Sequence, residues 1–495
     1  MYSTYVLQYS NVDVAQTIAR GANLLITEGD PLRAGHPNAA VTDAEVAQLK
    51  SAGVDVVGYV DTSVTDDTRP YWNPAWTSDG TDTGTPTGAA PSWLQGSALY
   101  SFDPANDFPN VTYEARIVNV TDASWINLVL DQVRDLKLRG YSGVFLDDIG
   151  TYFPAGPSGA TAVERAVAMV DLVLAIRADV GPAFKIITNG SPYVGTDAGL
   201  GAAFAGAIDA MVLESYFRTT AQPSLDTYID AALTNVGGSA QLLGLEYAAA
   251  SGDSVTRAGL FDYHLYLEQR GIVSFFSGAT ISAAGTSTYN NGGIAAGTPT
   301  AGDDVLFGTG VINIINGGNG ADRIAGFAGN DTLFGGNGAD VISGGAGNDI
   351  VNAGAQDDTA YGGDGNDSLR GSLGNDLLVG GKGRDGLLGG DGADRFQFTR
   401  LTDSTNAAAG RDTVLDFSVA QNDKIDLSAL DANALVVGDQ AFVLDGGGAF
   451  TTGEIRQVVV ASGIVLQMKV DADTIIDMAI LVRGVGALTS GDFIF

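Results

Sequence analysis

The sequence predicts two architectures in one chain, an N-terminal (β/α)8 TIM barrel followed by an all-β parallel β-roll with a C-terminal β cap. Two observations predict them. Over residues 1–280, eight short apolar runs alternate with segments of helical periodicity. From Gly317 to Gln397 the sequence then repeats every nine residues. A chain of 495 residues also exceeds one ordinary core, so several domains are expected. The expected domains are 1–280 (barrel), 281–300 (linker), 301–398 (roll) and 399–495 (C-terminal module).

Taken in order, the expected barrel strands are 5–10 (YVLQYS), 23–28 (NLLITE), 55–61 (DVVGYVD), 143–149, 184–189 (FKIITN), 210–216 (AMVLESY), 240–247 (AQLLGLEY) and 272–277 (IVSFFS). Amphipathic segments such as DASWINLVLDQVRDLKLRG and TAVERAVAMVDLVLAIRADV place apolar residues three and four apart, which a helix needs in order to cover a sheet. An extra run, ARIVNV at 115–120, falls in the long connection after the third strand. A stretch of small residues opening Thr280-Ile-Ser-Ala-Ala-Gly reads as the linker.

Chemistry in such barrels sits at the C-terminal strand ends. Those ends carry Gln8, Glu28, Asp61, Asp147 with Asp148, Asn189, Glu214 and Glu246. Helix capping explains some of them. It explains Asp147 and Glu214 poorly, because both lie inside apolar runs, where an unpaired charge costs several kcal/mol. Asp147 and Glu214 are therefore the candidate catalytic pair. Gln8, Asp61, Tyr71, Trp72, Asp148, Asn189, Tyr216 and Glu246 are candidates for binding a substrate. Aromatics including Trp76, Trp93 and Tyr247 crowd the same end, as platforms for sugar C–H faces or as loop packing. Rival chemistries lack their parts. There is no cysteine and no GxSxG or HExxH, and the two histidines, His36 and His264, lie away from strand ends. Carboxylate acid/base and nucleophilic chemistry remains, as in glycoside hydrolysis.

In the repeats, successive blocks run from GGNGADRIA to GGDGADRFQ, with a degenerate GTGVINIIN before them at Gly308. An Asp fills every sixth place: Asp322, Asp331, Asp340, Asp349, Asp358, Asp367, Asp376, Asp385 and Asp394. The eighth place is aliphatic, apart from Ala360 and Phe396. Each block thus reads as a glycine turn and a short strand with one inward side chain. Glycine backbone aims carbonyl oxygens at an ion and the aspartate adds a charged oxygen; stacked loops at ~4.8 Å together provide the six to eight oxygens that Ca2+ requires. The nine aspartates are the candidate metal ligands, and no organic cofactor is expected. The fifth block departs from the pattern at Ala353, Gln356 and Ala360.

This pattern resembles the RTX repeats of proteins exported by type I secretion. Residues 411–432, RDTVLDFSVAQNDKIDLSALDA, resemble the C-terminal module of serralysin-type proteases, and the closing LTSGDFIF is similar to the uncleaved export signal of that pathway. In residues 1–280, the order YVLQY, GYVDTSVTDDTRPYW, GYSGVFLDDIGTYF, ITNG, VLESYF and LGLEYA resembles glycoside hydrolase family 114, the endo-α-1,4-polygalactosaminidase-like barrels. That resemblance implies catalytic roles for Asp147 and Glu214. The chain departs from the family in having Gly150 where a further Asp usually stands.

The formal charge of -33 disfavours nucleic acid and suits cations or a cationic polymer. No basic stretch followed by an apolar run opens the sequence, and no segment has the ~20 apolar residues of a membrane helix. The expectation is a secreted or cell-surface, calcium-dependent endo-glycoside hydrolase. Its partners are a galactosamine-containing or related polysaccharide and a type I secretion apparatus. The alternative is a non-catalytic glycan-binding surface, biofilm or S-layer protein.

Overall fold

A computed structural model of the chain describes residues 5–7, 12, 14–19, 22–28, 41–62, 64–65, 73–78, 86–94, 98–101, 114–147, 161–189, 194–214, 224–236, 240–247, 257–270, 272–277 and 301–495, the last range without 434, 437–439 and 474. The chain divides into two compact units, Met1–Gly293 and Ile294–Phe495. The expected linker, 281–300, lies outside the described residues.

The first unit holds the strands β1 (Tyr5–Leu7), β2 (Leu24–Glu28) and β3 (Asp55–Asp61), a small insertion of β4 (Val64–Thr65), β5 (Ala98–Ser101) and β6 (Glu114–Ile117), and then β7 (Gly143–Asp147), β8 (Lys185–Asn189), β9 (Ala210–Glu214), β10 (Gln241–Tyr247) and β11 (Val273–Ser277). The eight main strands pair in parallel in the order β1-β2-β3-β7-β8-β9-β10-β11, the sequential order of a (β/α)8 barrel. The run near 115–120 contributes β6, the middle strand of the antiparallel insertion between β3 and β7.

Helices cover this sheet where the periodicity predicts them. Ala123–Leu138 buries Trp125, Val129, Leu130, Val133 and Leu136, and Asp122 caps its first turn by accepting from Ser124 N at 2.8 Å. Ala162–Val180 opens with a capping box between Thr161 and Glu164. Helix and strand approach closely at Gly58, where an added Cβ would lie 2.4 Å from Leu136 Cδ2. That contact leaves the alternate residues of β3, Tyr59 and Asp61, facing the other way.

In the second unit, eleven strands from β12 (Val305–Thr309) to β22 (Arg395–Gln397) alternate between two all-parallel stacks. Register steps by two blocks: Ile324 pairs with Ile342 in one sheet and Leu333 with Val351 in the other. The eighth-place side chains from Leu306 to Phe396 are buried in one narrow core. Beyond the repeats, β23 (Thr413–Val414) and β24 (Lys424–Asp426) extend the two sheets. The antiparallel strands β26 (Glu454–Val460), β27 (Gly463–Lys469) and β28 (Met478–Val482) and the terminal β29 (Phe493–Ile494) close the end.

Most tight turns of the coil leave no room for a side chain, although Phe327, Gln356 and Ser372 stand at turn positions with positive φ. Gly347 has φ +143°, and an added Cβ would lie 1.6 Å from Gly329 O. Gly347→Ala is expected to destabilise the calcium-loaded roll by at least ~2 kcal/mol through overpacking and left-handed strain. Gly446→Ala, where nothing lies within 4 Å, should change it by less than ~0.5 kcal/mol. Thermal unfolding of the two variants in calcium checks both values.

Candidate functional sites in the barrel and the roll

In the barrel, Asp61 at the end of β3 pairs in register with Asp147 at the end of β7. Tyr59, two residues before Asp61 and on the same face, places its hydroxyl 2.6 Å from Asp61 Oδ1 and 2.6 Å from Asp147 Oδ2. Asn189, ending β8, donates from Nδ2 to Asp147 Oδ1 at 2.8 Å. Both Asp147 oxygens are therefore held by side chains of the flanking strands. A phenol has one proton, so Tyr59 donates to one carboxylate at a time and couples the two. The Asp147 backbone is fixed as well: its carbonyl accepts from Thr62 N and Oγ1, and Thr62 O accepts from Trp125 Nε1 at 2.7 Å.

Glu214 ends β9, the strand beyond β8. Val212 pairs with Asn189, which places Glu214 two residues past the Asn189 level. Leu245 pairs with Glu214, and Glu246 follows it on β10. The structure thus brings Asp61, Asp147 and Asn189 together and sets Glu214 and Glu246 on the same rim by backbone position. Gln8, Tyr71, Trp72, Asp148 and Tyr216 lie outside the described residues. Sequence reasoning missed Tyr59; its spacing of two from Asp61 on one strand was the available signal. Trp76 meets Trp93 edge-on at 5.5 Å, and the buried Trp93 packs against Trp125 at 4.9 Å in a tilted arrangement. They anchor the inserted segment to the helix below.

In the roll, the sixth-place residues form two columns. Each aspartate Oδ1 accepts the backbone N–H of its counterpart eighteen residues earlier. One column runs Asp304, Asp322, Asp340, Asp358, Asp376 and Asp394, each step 2.7–3.0 Å. The other runs Asn313, Asp331, Asp349, Asp367 and Asp385, each step 2.6–2.8 Å. The second oxygens of Asp322, Asp331, Asp340, Asp349, Asp358, Asp376, Asp385 and Asp394 are buried and accept no hydrogen bond. All but that of Asp358, whose block has Ala353 in place of the first glycine, point into a bare glycine turn. A Cβ on Gly317 would lie 2.2 Å from Asp322 Oδ2 and 2.7 Å from Gly335 O, so charged and carbonyl oxygens converge where an ion would sit. The donor set is all hard oxygen and fits Ca2+.

Two column members escaped the sequence reading. Asp304 opens its column from the irregular block PTAGDDVLF, and Asn313 opens the other with a neutral amide oxygen, 2.5 Å from a Cβ on Gly308. The irregular fifth block keeps register. Ala353 supplies a carbonyl where other blocks use glycine, and Gln356 adopts φ +81° and accepts from Gly338 N at 2.6 Å.

A family model for the RTX calcium-binding nonapeptide repeat matches residues 299–326, 325–360 and 361–396. The roll therefore carries RTX calcium-binding repeats, beginning at the Asp304 block. No curated protein matches the chain. Among solved structures, the chain is similar to the glycoside hydrolase domain of PelA from Pseudomonas aeruginosa, at 17% identity and TM-score 0.40, covering 58% of this chain and 98% of that one. It is also similar to Aspergillus fumigatus Ega3 in complex with galactosamine, at 13% identity and TM-score 0.36, covering 55% and 89%. A third similarity is to the AlgE6R3 subunit of the Azotobacter vinelandii mannuronan C5-epimerase, at 30% identity and TM-score 0.24, covering 30% and 78%.

Burial raises the proton affinity of the column carboxyls. Asp340, Asp349 and Asp376 are pushed up to about 6, Asp394 to about 7, and Asp331 and Asp358 to about 8. In the ion-free roll these groups hold protons more tightly folded than unfolded. Their contribution to stability is fully present below the ordinary carboxylate value and is lost as pH rises through about 6 to about 8. Circular dichroism of calcium-stripped protein should show strand signal near pH ~4 that declines towards pH ~8, and millimolar calcium should restore it at pH ~8. A strand signal unchanged by both pH and calcium would contradict this.

Proposed function

We propose that the barrel is the catalytic unit of an exported, calcium-dependent endo-acting glycoside hydrolase, and that its substrate is a galactosamine-containing or related polysaccharide. The observation that carries this reading is the Asp147 carboxylate. It stands at a strand end, each oxygen is oriented by a neighbouring strand's side chain, and a second, buried carboxylate, Asp61, is joined to it through Tyr59. A charge so oriented at the reactive end of a barrel is suited to act on a developing oxocarbenium ion. Asp147 is assigned as nucleophile or base and Glu214, two strands away, as general acid/base. The acidic character of the chain suits a partly deacetylated, cationic polymer.

Wild-type protein is expected to release reducing ends from a galactosaminoglycan within a panel of such polymers. Asp147→Asn and Glu214→Gln should each fold normally and lose on the order of 10³-fold in turnover, because both roles need an ionisable oxygen. Substitution of Asp148 or Glu246, assigned to substrate positioning, should cost less. Wild-type turnover in either amide variant would show that the pair is wrong. Calorimetric binding of the polymer with no release of reducing ends would instead support a glycan-binding surface protein.

Export through a type I apparatus is proposed from the repeats and the closing GDFIF. A chain without residues 436–495 is expected to accumulate inside cells that secrete the full chain. Undiminished secretion of that truncation, measured by immunoblot of the medium, would rule the route out.

A further inference from the structure

Three oxygens stand in line at the barrel rim: Asp61 Oδ1, the Tyr59 hydroxyl and Asp147 Oδ2, with 2.6 Å across each gap. Oxygens that close rest against each other as hydrogen-bond partners, with a proton between them. Two gaps therefore require two protons. The phenol supplies one, and it can lie in only one gap at a time. The other belongs to a carboxyl group.

The surroundings decide which carboxyl keeps it. Asp147 Oδ1 is also met by Asn189 Nδ2–H at 2.8 Å, a contact that suits an ionised carboxylate, which only accepts. Asp61 is 4% exposed whereas Asp147 is half-buried, and burial penalises the charged form more at the drier site. Two carboxylates bridged by one hydroxyl would also repel, as like charges sharing a site do. Glu28, which pairs with Tyr59, and Glu214, Glu246 and Tyr247 are the other titratable groups at the described strand ends, and none of these is basic. A second negative charge would thus meet no cation among the described strand ends.

We infer that Asp61 is a neutral carboxylic acid at neutral pH, donating to the Tyr59 oxygen, which in turn donates to Asp147 Oδ2. The pair carries one negative charge, and that charge sits on Asp147. Tyr59 and Asp61 are positioning residues. They fix the direction of the Asp147 carboxylate and keep a second charge out of the cleft. Phe145 packs beside the Tyr59 ring, centroids 6.0 Å apart, and steadies it. The catalytic half of this inference rests on Asp147 being the nucleophile or base proposed above; the protonation state of Asp61 does not.

Infrared spectra of the full-length, calcium-loaded protein at neutral pH test the protonation state without a substrate. The wild-type minus Asp61→Asn difference is expected to contain the C=O band of a neutral carboxylic acid. A difference made only of lost carboxylate bands would overturn the inference. Tyr59→Phe removes the acceptor of the Asp61 proton and is expected to move the same band, so if Asp61→Asn fails to fold, that shift or its absence decides. With a galactosaminoglycan, Tyr59→Phe should lower kcat about tenfold and leave KM within about twofold, because the phenol acts through Asp147. A raised KM with unchanged kcat would overturn the positioning role and make Tyr59 a substrate contact. A wild-type protein inactive on every such polymer would overturn the hydrolase reading, and the infrared difference would still decide the state of Asp61.

Discussion

The second unit depends on one electrostatic constraint, the stacking of like charges at strand spacing. Carboxylates in successive coils of a column stand one strand repeat apart, roughly 4.8 Å, in a nearly dry environment. A backbone N–H satisfies one oxygen of each. The other is buried beside glycine carbonyls, and only a cation or a proton removes the cost. The rest of the coil follows from this arrangement. Bare turns let carbonyls close on the ion, and the strands are short because the turn must return every nine residues. The core is one side chain wide, with Ile324, Leu333, Ile342 and Val351 among its members. So slight a core gives limited hydrophobic stabilisation against the cost of the buried carboxylates.

The barrel works under a geometric constraint instead. Parallel strands in register bring their C-terminal residues to one rim, so residues far apart in sequence meet there. Asp61 and Asp147 are paired residues 86 positions apart, and Asn189 reaches the same carboxylate from the next strand. Helix packing sets which residues face inward: Gly58 gives its outward position to Leu136, and the alternation of the strand turns Tyr59 and Asp61 inward.

Much of this was legible in the sequence because both folds are periodic. The eight barrel strands appear as apolar runs and the nine aspartates as an unbroken period. Legibility ended where the period did. Asp304 stands in a block that opens Pro299-Thr300-Ala301 instead of with paired glycines, Asn313 replaces the acid with its amide, and Asp412 arrives after an insertion that lengthens the step to 27 residues. In the barrel, charged residues at strand ends announced themselves. Tyr59 did not, since an aromatic inside an apolar run looks like core until its hydroxyl is seen between two carboxylates. For Trp76 and Trp93 the sequence left sugar platform and loop packing both open, because aromatic crowding does not distinguish them; in the structure Trp76 packs on Trp93 and Trp93 on Trp125.

The columns also have a polarity. Every donor is an N–H of an earlier coil and every acceptor a carboxylate of a later one, so an array cut after any coil leaves its final aspartate N–H without a carboxylate. Adding repeats moves this deficit along without removing it. Asp412 and Asp423, carried by non-repetitive sequence, supply the missing acceptors. The roll is thus a directional polymer with a dedicated terminator at one end, and its length is set by where that terminator is encoded.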